Sequence, residues 1–128
     1  MADSNFVMGR GFLASAALTK HRAVKAHASI AETVSPVTAE GDEVIGVAKF
    51  DVSAADIERG KTASIDMMGI VELESIDTIA VGDTVAIDSA GRGIQPNSGA
   101  RNIGVCVGNP GVSGDRISVM LSLPGTVT

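Results

Sequence analysis

Residues 62–74, Thr62-Ala63-Ser64-Ile65-Asp66-Met67-Met68-Gly69-Ile70-Val71-Glu72-Leu73-Glu74, form the longest alternating stretch of the chain. Ala63, Ile65, Met67, Gly69, Val71 and Leu73 fall on one face. Thr62, Ser64, Asp66, Glu72 and Glu74 fall on the other, where Met68 and Ile70 are apolar exceptions. A period of two is the mark of a strand with one buried face, because successive side chains of an extended backbone point to opposite sides. Gly69 marks a bulge or a bend within it.

Shorter stretches on either side repeat the pattern. Ile117, Val119, Leu121 and Leu123 alternate with Arg116, Ser118, Met120 and Ser122, which predicts a strand over 115–123. Residues 84–88 point Val85 and Ile87 inward, and residues 103–107 put Ile103, Val105 and Val107 on one face. Upstream, Val44-Ile45-Gly46-Val47-Ala48-Lys49-Phe50 is mostly a continuous apolar run, the look of a strand buried on both sides. Val24, Ala26 and Ala28 alternate with Lys25 and His27, and residues 30–38 extend weakly to a break at Pro36. Ser53-Ala54-Ala55-Asp56, closed by Gly60, reads as one short helix over 53–59 with a capping pair at its start. Leu13–Leu18 is apolar enough for a turn of helix but too short to hold one alone.

A small grammar recurs. Gly41-Asp42-Glu43-Val44, Gly60-Lys61-Thr62-Ala63, Gly82-Asp83-Thr84-Val85 and Gly114-Asp115-Arg116-Ile117 each give a glycine turn, a polar residue and a strand. The spacing is irregular, so this is turn chemistry rather than a solenoid repeat. Asn109-Pro110-Gly111 fits a type II turn. The chain is predicted to be all-β, a small β-sandwich or β-barrel of short strands.

At 128 residues the length suits one domain. It holds three Phe and neither Trp nor Tyr, so its core must be built from Val, Ile, Leu, Met and Ala. The same scarcity argues against stacking on single-stranded nucleic acid, and a net charge of −5 is the wrong sign for a phosphate-binding surface. A single cysteine excludes an internal disulfide. No apolar run reaches the roughly 18–20 residues of a membrane span, and no targeting segment is read at the N-terminus.

Charge and aromatics are unevenly placed. Residues 1–27 hold Arg10, Lys20, Arg22 and Lys25 against Asp3, whereas residues 28–128 hold fourteen acids against six Lys/Arg. Phe6 and Phe12 lie in the first twelve positions, leaving Phe50 for the rest. An apolar, basic terminal stretch cannot bury itself, so residues 1–20 read as an arm in need of a partner and residues 21–128 as a single β-domain.

Catalytic chemistry finds no footing. His21 and His27 lack metal-site spacing, and Cys106 sits between Val105 and Val107 as a small packed hydrophobe. Glu72 and Glu74 share a strand face, but no aromatic sugar platform accompanies them. Asp66, Asp88 and Asp115 lack EF-hand spacing, and the glycine pairs near 91 and 108 lack the Lys-Ser/Thr of a phosphate loop. No enzyme activity, cofactor or metal is expected.

The order of the motifs carries a resemblance. Val44-Ile45-Gly46-Val47-Ala48 is followed by Met68-Gly69-Ile70-Val71-Glu72-Leu73 and Ala80-Val81-Gly82-Asp83-Thr84-Val85. Ile103-Gly104-Val105-Cys106-Val107-Gly108 and Asp115-Arg116-Ile117-Ser118-Val119-Met120-Leu121 complete the series. Over residues 40–123 this resembles the capsid decoration, or cement, proteins of tailed bacteriophages. The resemblance implies a non-enzymatic protein on the outer surface of the virion capsid. It would be a homotrimer near three-fold positions of the expanded head, stabilising it by bridging subunits of the major capsid protein, with no nucleic acid or membrane partner. The asymmetry of the arm nominates Phe6, Val7, Met8, Arg10, Phe12, Leu13, Lys20 and Arg22 as capsid contacts. The alternative is a small β-barrel carrier or co-chaperonin-like module.

Overall fold

In the computed structural model residues 8–108 and 116–122 are described, and they form ten strands and one short helix. Five strands close a barrel: β1 (Met8–Ala14), β3 (Thr33–Pro36), β2 (Ala23–Ala26), β4 (Val44–Ala48) and β5 (Ala63–Met68), in that order around the wall. β1 runs parallel to β3, and the other barrel pairs are antiparallel. The remaining five, β6 (Ile70–Glu74), β7 (Thr84–Ile87), β8 (Gly93–Ile94), β9 (Arg101–Gly108) and β10 (Arg116–Leu121), make an antiparallel sheet in the order β6-β10-β9-β7-β8. The chain is all-β, as its alternation predicts.

The stretch 62–74 supplies the joint. Gly69 has φ +97°, a conformation in which a side chain is strained, and it turns the chain from β5 in the barrel to β6 in the second sheet. The alternation survives the turn. Ala63 and Ile65 point into the barrel core, while Val71 and Leu73 point into the core beneath the second sheet.

Two apolar clusters result, and the barrel wall between them is shared. Val24, Val34, Ala48 and Ile65 fill the barrel, and Ala23, Val44 and Val47 pack outward against Leu73, Val85, Ile103, Ile117 and Val119 of the second sheet. β2 and β4 are therefore buried on both faces, which is why residues 44–48 read as unbroken apolar sequence. No aromatic side chain is fully buried among the described residues. Leu73, Ile117 and their like contribute roughly 1.5–3 kcal/mol each by leaving water.

Local predictions hold where short-range chemistry decides. The helix α1 (Ala54–Glu58) starts at Ser53, whose side chain accepts from the Asp56 N–H while the Asp56 carboxylate accepts from the Ser53 N–H. The Gly-Asp grammar is a real device at two sites. In Ala39–Asp42 and in Ala80–Asp83 the aspartate N–H closes a turn onto the alanine carbonyl, and its carboxylate accepts the alanine N–H. The segments carrying Asn109-Pro110-Gly111, Gly114-Asp115 and Leu123 lie outside the described residues.

Leu13–Leu18, too short to hold a helical turn alone, forms none: β1 runs to Ala14, and Leu18 exchanges main-chain hydrogen bonds of 2.9 and 3.0 Å with Val52. One expectation fails: residues 103–107 do not keep one face. Val85 pairs with Gly104 but Ala86 with Asn102, so Ile103 is an extra residue bulged out of register. The bulge reverses the phase, turning Ile103 and Cys106 inward and leaving Val105 exposed.

Candidate functional site

The basic and apolar residues nominated from the N-terminal stretch separate into two groups. Phe6 and Val7 lie outside the described residues. Met8 opens β1, its main chain paired with Met68. Arg10 is exposed on the same strand, forms an ion pair with Glu32, and lies 4.6 Å over the ring of Phe12. Phe12 is half-buried against the barrel core, and Leu13 is half-exposed. The apolar stretch 8–14 thus finds its first partners within the chain, β5 on one side and β3 on the other.

Lys20 and Arg22 sit elsewhere, at the seam between the barrel and the second sheet. The Lys20 N–H donates to Asp51 at 2.8 Å. Between them His21 adopts φ +65°, and its main chain ties the two sheets: its N–H donates to Ala48 and its carbonyl accepts from Glu74 at 2.7 Å. Arg22 meets the Glu74 carboxylate with two nitrogens, at 2.9 and 3.4 Å, a two-pronged, part-buried contact. Arg116 stands 3.6 Å from Glu72 and 3.1 Å from the His21 ring. Farther along, Lys25 pairs with Asp42 at 3.0 Å. Arg10, Arg22 and Lys25 of the basic segment therefore all meet acids of this same chain.

Beside the seam a cleft of about 430 Å³ opens between β4, β5 and β6, lined by His21, Lys49, Asp66, Ile70 and Glu72. Burial pushes the Asp66 carboxyl above its usual range, and Lys49 and His21 pull it part of the way back. The charges at the seam are mixed in sign and mutually paired, so the arrangement locks two sheets rather than presenting a reactive group. Cys106 is fully buried, with its thiol 3.4 Å from the Gly108 carbonyl. Among the described residues no cluster of three or more His, Cys, Asp or Glu could hold a metal ion, and no helix is long and apolar enough to cross a membrane.

Sequence reasoning missed one surface. On the outer face of the second sheet Ile70 of β6, Met120 of β10 and Val105 of β9 stand directly opposite one another in register. Met120 is 50% exposed, Val105 40%, and nearby Met68 56%. Met68 and Ile70 as apolar exceptions, and Met120 on a polar face, were the available signals. Val105 was hidden by the bulge.

The sequence profile of the phage cement protein family matches residues 10–121, a span that takes in both sheets. No curated protein matches the chain significantly by sequence. Among solved structures the chain is similar to the head fiber gp8.5 N base of bacteriophage phi29, with a TM-score of 0.67 and 15% sequence identity over 96% of this chain and 100% of that one. At that identity the likeness speaks to the fold alone, and it joins the barrel and the second sheet into one recurring unit. The family match supplies the rest: this chain belongs to the phage cement protein family and is a virion-associated structural protein of the phage head.

Proposed function

We propose that the protein binds the outer face of the expanded head as a homotrimer at three-fold positions, where it ties neighbouring major capsid protein subunits together and performs no catalysis. The observation that carries this reading is the cement family match across residues 10–121. The physical demands of the task agree with it. Packaged DNA pushes a shell outward, so a clamp needs a stiff body and several modest contacts made at once. A closed barrel transmits load through paired main chain, and many copies on a lattice add avidity to weak single contacts.

In this reading residues 1–20 are the contact segment and residues 21–128 the body. Residues 8–14 are delivered to the capsid as a rigid strand, which offers Leu13 and Arg10 outward. Phe6, Val7, Met8, Phe12, Lys20 and Arg22 complete the proposed contact set. The acidic remainder keeps the outer surface soluble.

The test uses expanded heads that lack the protein. Wild-type chain, a Leu13→Asp variant and a variant lacking residues 2–7 are added at limiting concentration, and occupancy is measured by sedimentation and electron microscopy. Wild-type density on the outer face at three-fold positions, with affinity lowered about tenfold or more in each variant, is the expected result (roughly 1.4 kcal/mol). Unchanged decoration by both variants ends the contact assignment, and wild-type density away from the outer face ends the reading itself.

A further inference from the structure

We propose that the open edge of β6 takes up an extended segment of another protein, whose main chain pairs with Ile70 and Glu72 and whose central side chain, a lysine or arginine, meets Asp66. The site is independent of where the chain sits on the head. The Leu121 N–H donates to the Gly69 carbonyl at 3.0 Å, so Gly69 and Leu121 are a hydrogen-bonded pair. In an antiparallel ladder such pairs alternate with non-bonded ones. Val71 therefore bonds Val119 and Leu73 bonds Ile117, while Ile70, Glu72 and Glu74 turn their N–H and C=O groups the other way. β6 is the last strand of its sheet, so these groups face an open edge. The Glu74 N–H finds the His21 carbonyl there at 2.7 Å. Among the described residues no main-chain group pairs with Ile70 or Glu72 on that side.

The unpaired edge borders the seam cleft, whose lining includes both Ile70 and Glu72. Free main-chain donors and acceptors beside a cavity are the template on which an extended peptide adds as a further strand. The pleat fixes where its side chains go. The residues opposite Ile70 and Glu72 point to their outer face, and the residue between them, opposite Val71, points to the inner face. Asp66 lies on that inner side. It is the cross-strand partner of Val47, so the two share a face of the barrel wall, and Val47 packs in the same core as Val71. The Asp66 carboxylate is part-buried, and no N–H or O–H among the described residues donates to it. Lys49 forms no ion pair with it and holds its ammonium 5.8 Å from the centre of the Phe50 ring. A cationic side chain at the central position would supply both the missing donor and the opposite charge.

Charge and pairing decide which chain brings that cation. All ten Lys and Arg of this protein lie within the described residues. Those on strands, Arg10, Lys25, Arg101 and Arg116, belong to β1, β2, β9 and β10, each already paired on both sides. A folded second copy therefore has no extended, cation-bearing strand with a free edge to give. A net charge of −5 favours a basic partner over another copy of the chain. The occupant is thus a different protein, which lays an apolar side chain beside Ile70 and a basic one next to it, over Asp66.

The test follows the backbone amides of the full-length, nitrogen-15-labelled chain by nuclear magnetic resonance. The probe is the end-capped peptide Thr-Val-Arg-Val-Thr at millimolar concentration. In the free protein the Ile70 and Glu72 amides should exchange quickly with solvent and those of Val71 and Leu73 slowly. The peptide should shift and protect the Ile70 and Glu72 signals. Replacing its arginine by glutamate, or using the Asp66→Asn protein, should weaken binding about tenfold, while the circular dichroism of Asp66→Asn stays that of the wild type. N-methylation of the three central peptide residues should abolish binding. Slow exchange of Ile70 and Glu72 in the free protein overturns the proposal, because the edge is then already covered. So does their protection by rising protein concentration without peptide, which assigns the edge to a second copy. Absence of any shift with the peptide overturns it as well, as does binding indifferent to the arginine and to Asp66→Asn. No capsid enters the measurement, so its failure is separate from failure of the decoration test.

Discussion

In the barrel every strand has two neighbours, whereas the second sheet ends at β6 and β8 and depends on the barrel for its inner face. Its two edges only approach closure, through the bridge of Ser75 to Gly93 and the hydrogen bond from the Ile76 N–H to Gly93 at 3.1 Å. The barrel therefore satisfies its own main chain, while the second sheet borrows a wall and leaves an apolar row outside. The division rests on β2 and β4, which face both cores at once.

That shared wall makes the first and largest prediction. Leu73→Ala in the second sheet and Ile65→Ala in the barrel should each cost about 2–5 kcal/mol, since both side chains are fully buried. Denaturant melts followed by circular dichroism should show one transition in both variants, moved to lower denaturant. A second transition confined to Leu73→Ala would break the claim that the two sheets unfold together. A smaller effect sharpens the same point on the barrel side. Ser53→Ala removes the cap of α1 and should lower stability by about 1 kcal/mol, read as a shift of that same midpoint. A midpoint that does not move would make the helix an appendage to the barrel rather than a part of it.

The smallest prediction concerns pH, and its sign differs between two acids. The Asp66 carboxyl is raised by burial, so the folded state holds its proton more readily than the unfolded chain, whose aspartates titrate near pH ~3.9. The ionised form is the unfavourable one, and Asp66→Asn should raise stability at neutral pH. That gain should fade as the pH falls through the Asp66 value. At Asp42 burial also opposes ionisation, but the Thr38 N–H, the Lys25 ammonium and the Ala39 N–H outweigh it and hold the carboxyl low. Its contribution is present above the unfolded value and lost as pH falls through the folded one, so Asp42→Asn should be destabilising at pH 7 and nearly neutral in acid. Melts of the two variants across pH check this, and two curves of the same sign would remove the seam cleft as a distinct environment.

What was legible in the sequence was whatever neighbours along the chain decide. The Ser53–Asp56 capping pair, the Gly-Asp turns at 41–42 and 82–83, and the alternation of Val71 and Leu73 all depend on residues within a few positions. The unbroken run Val44–Ala48 announced its two buried faces, and Cys106 announced itself as packing. The pairing of the N-terminal stretch was not legible: residues 8–14 lie between β5 and β3. Sequence separation hides this, since β5 is more than fifty residues away. The outer row was the least legible part, because a one-residue bulge at Ile103 puts Val105 on the face opposite to Ile103, where simple alternation would place both together.

The sequence by itself determined an all-β chain with a core built on Val, Ile, Leu and Ala and, through the order of its glycine-punctuated strands, a resemblance to the cement proteins that the family match bears out. Period and turn chemistry are local, so they survive in one dimension. Tertiary structure alone decided that Gly69 would divide one alternating stretch between two sheets, and that Arg22 would meet Glu74 across a seam. It also decided that Ile70, Met120 and Val105 would stand side by side in the open. Those juxtapositions depend on register and on closure of the barrel, and both are set by which distant strands pair.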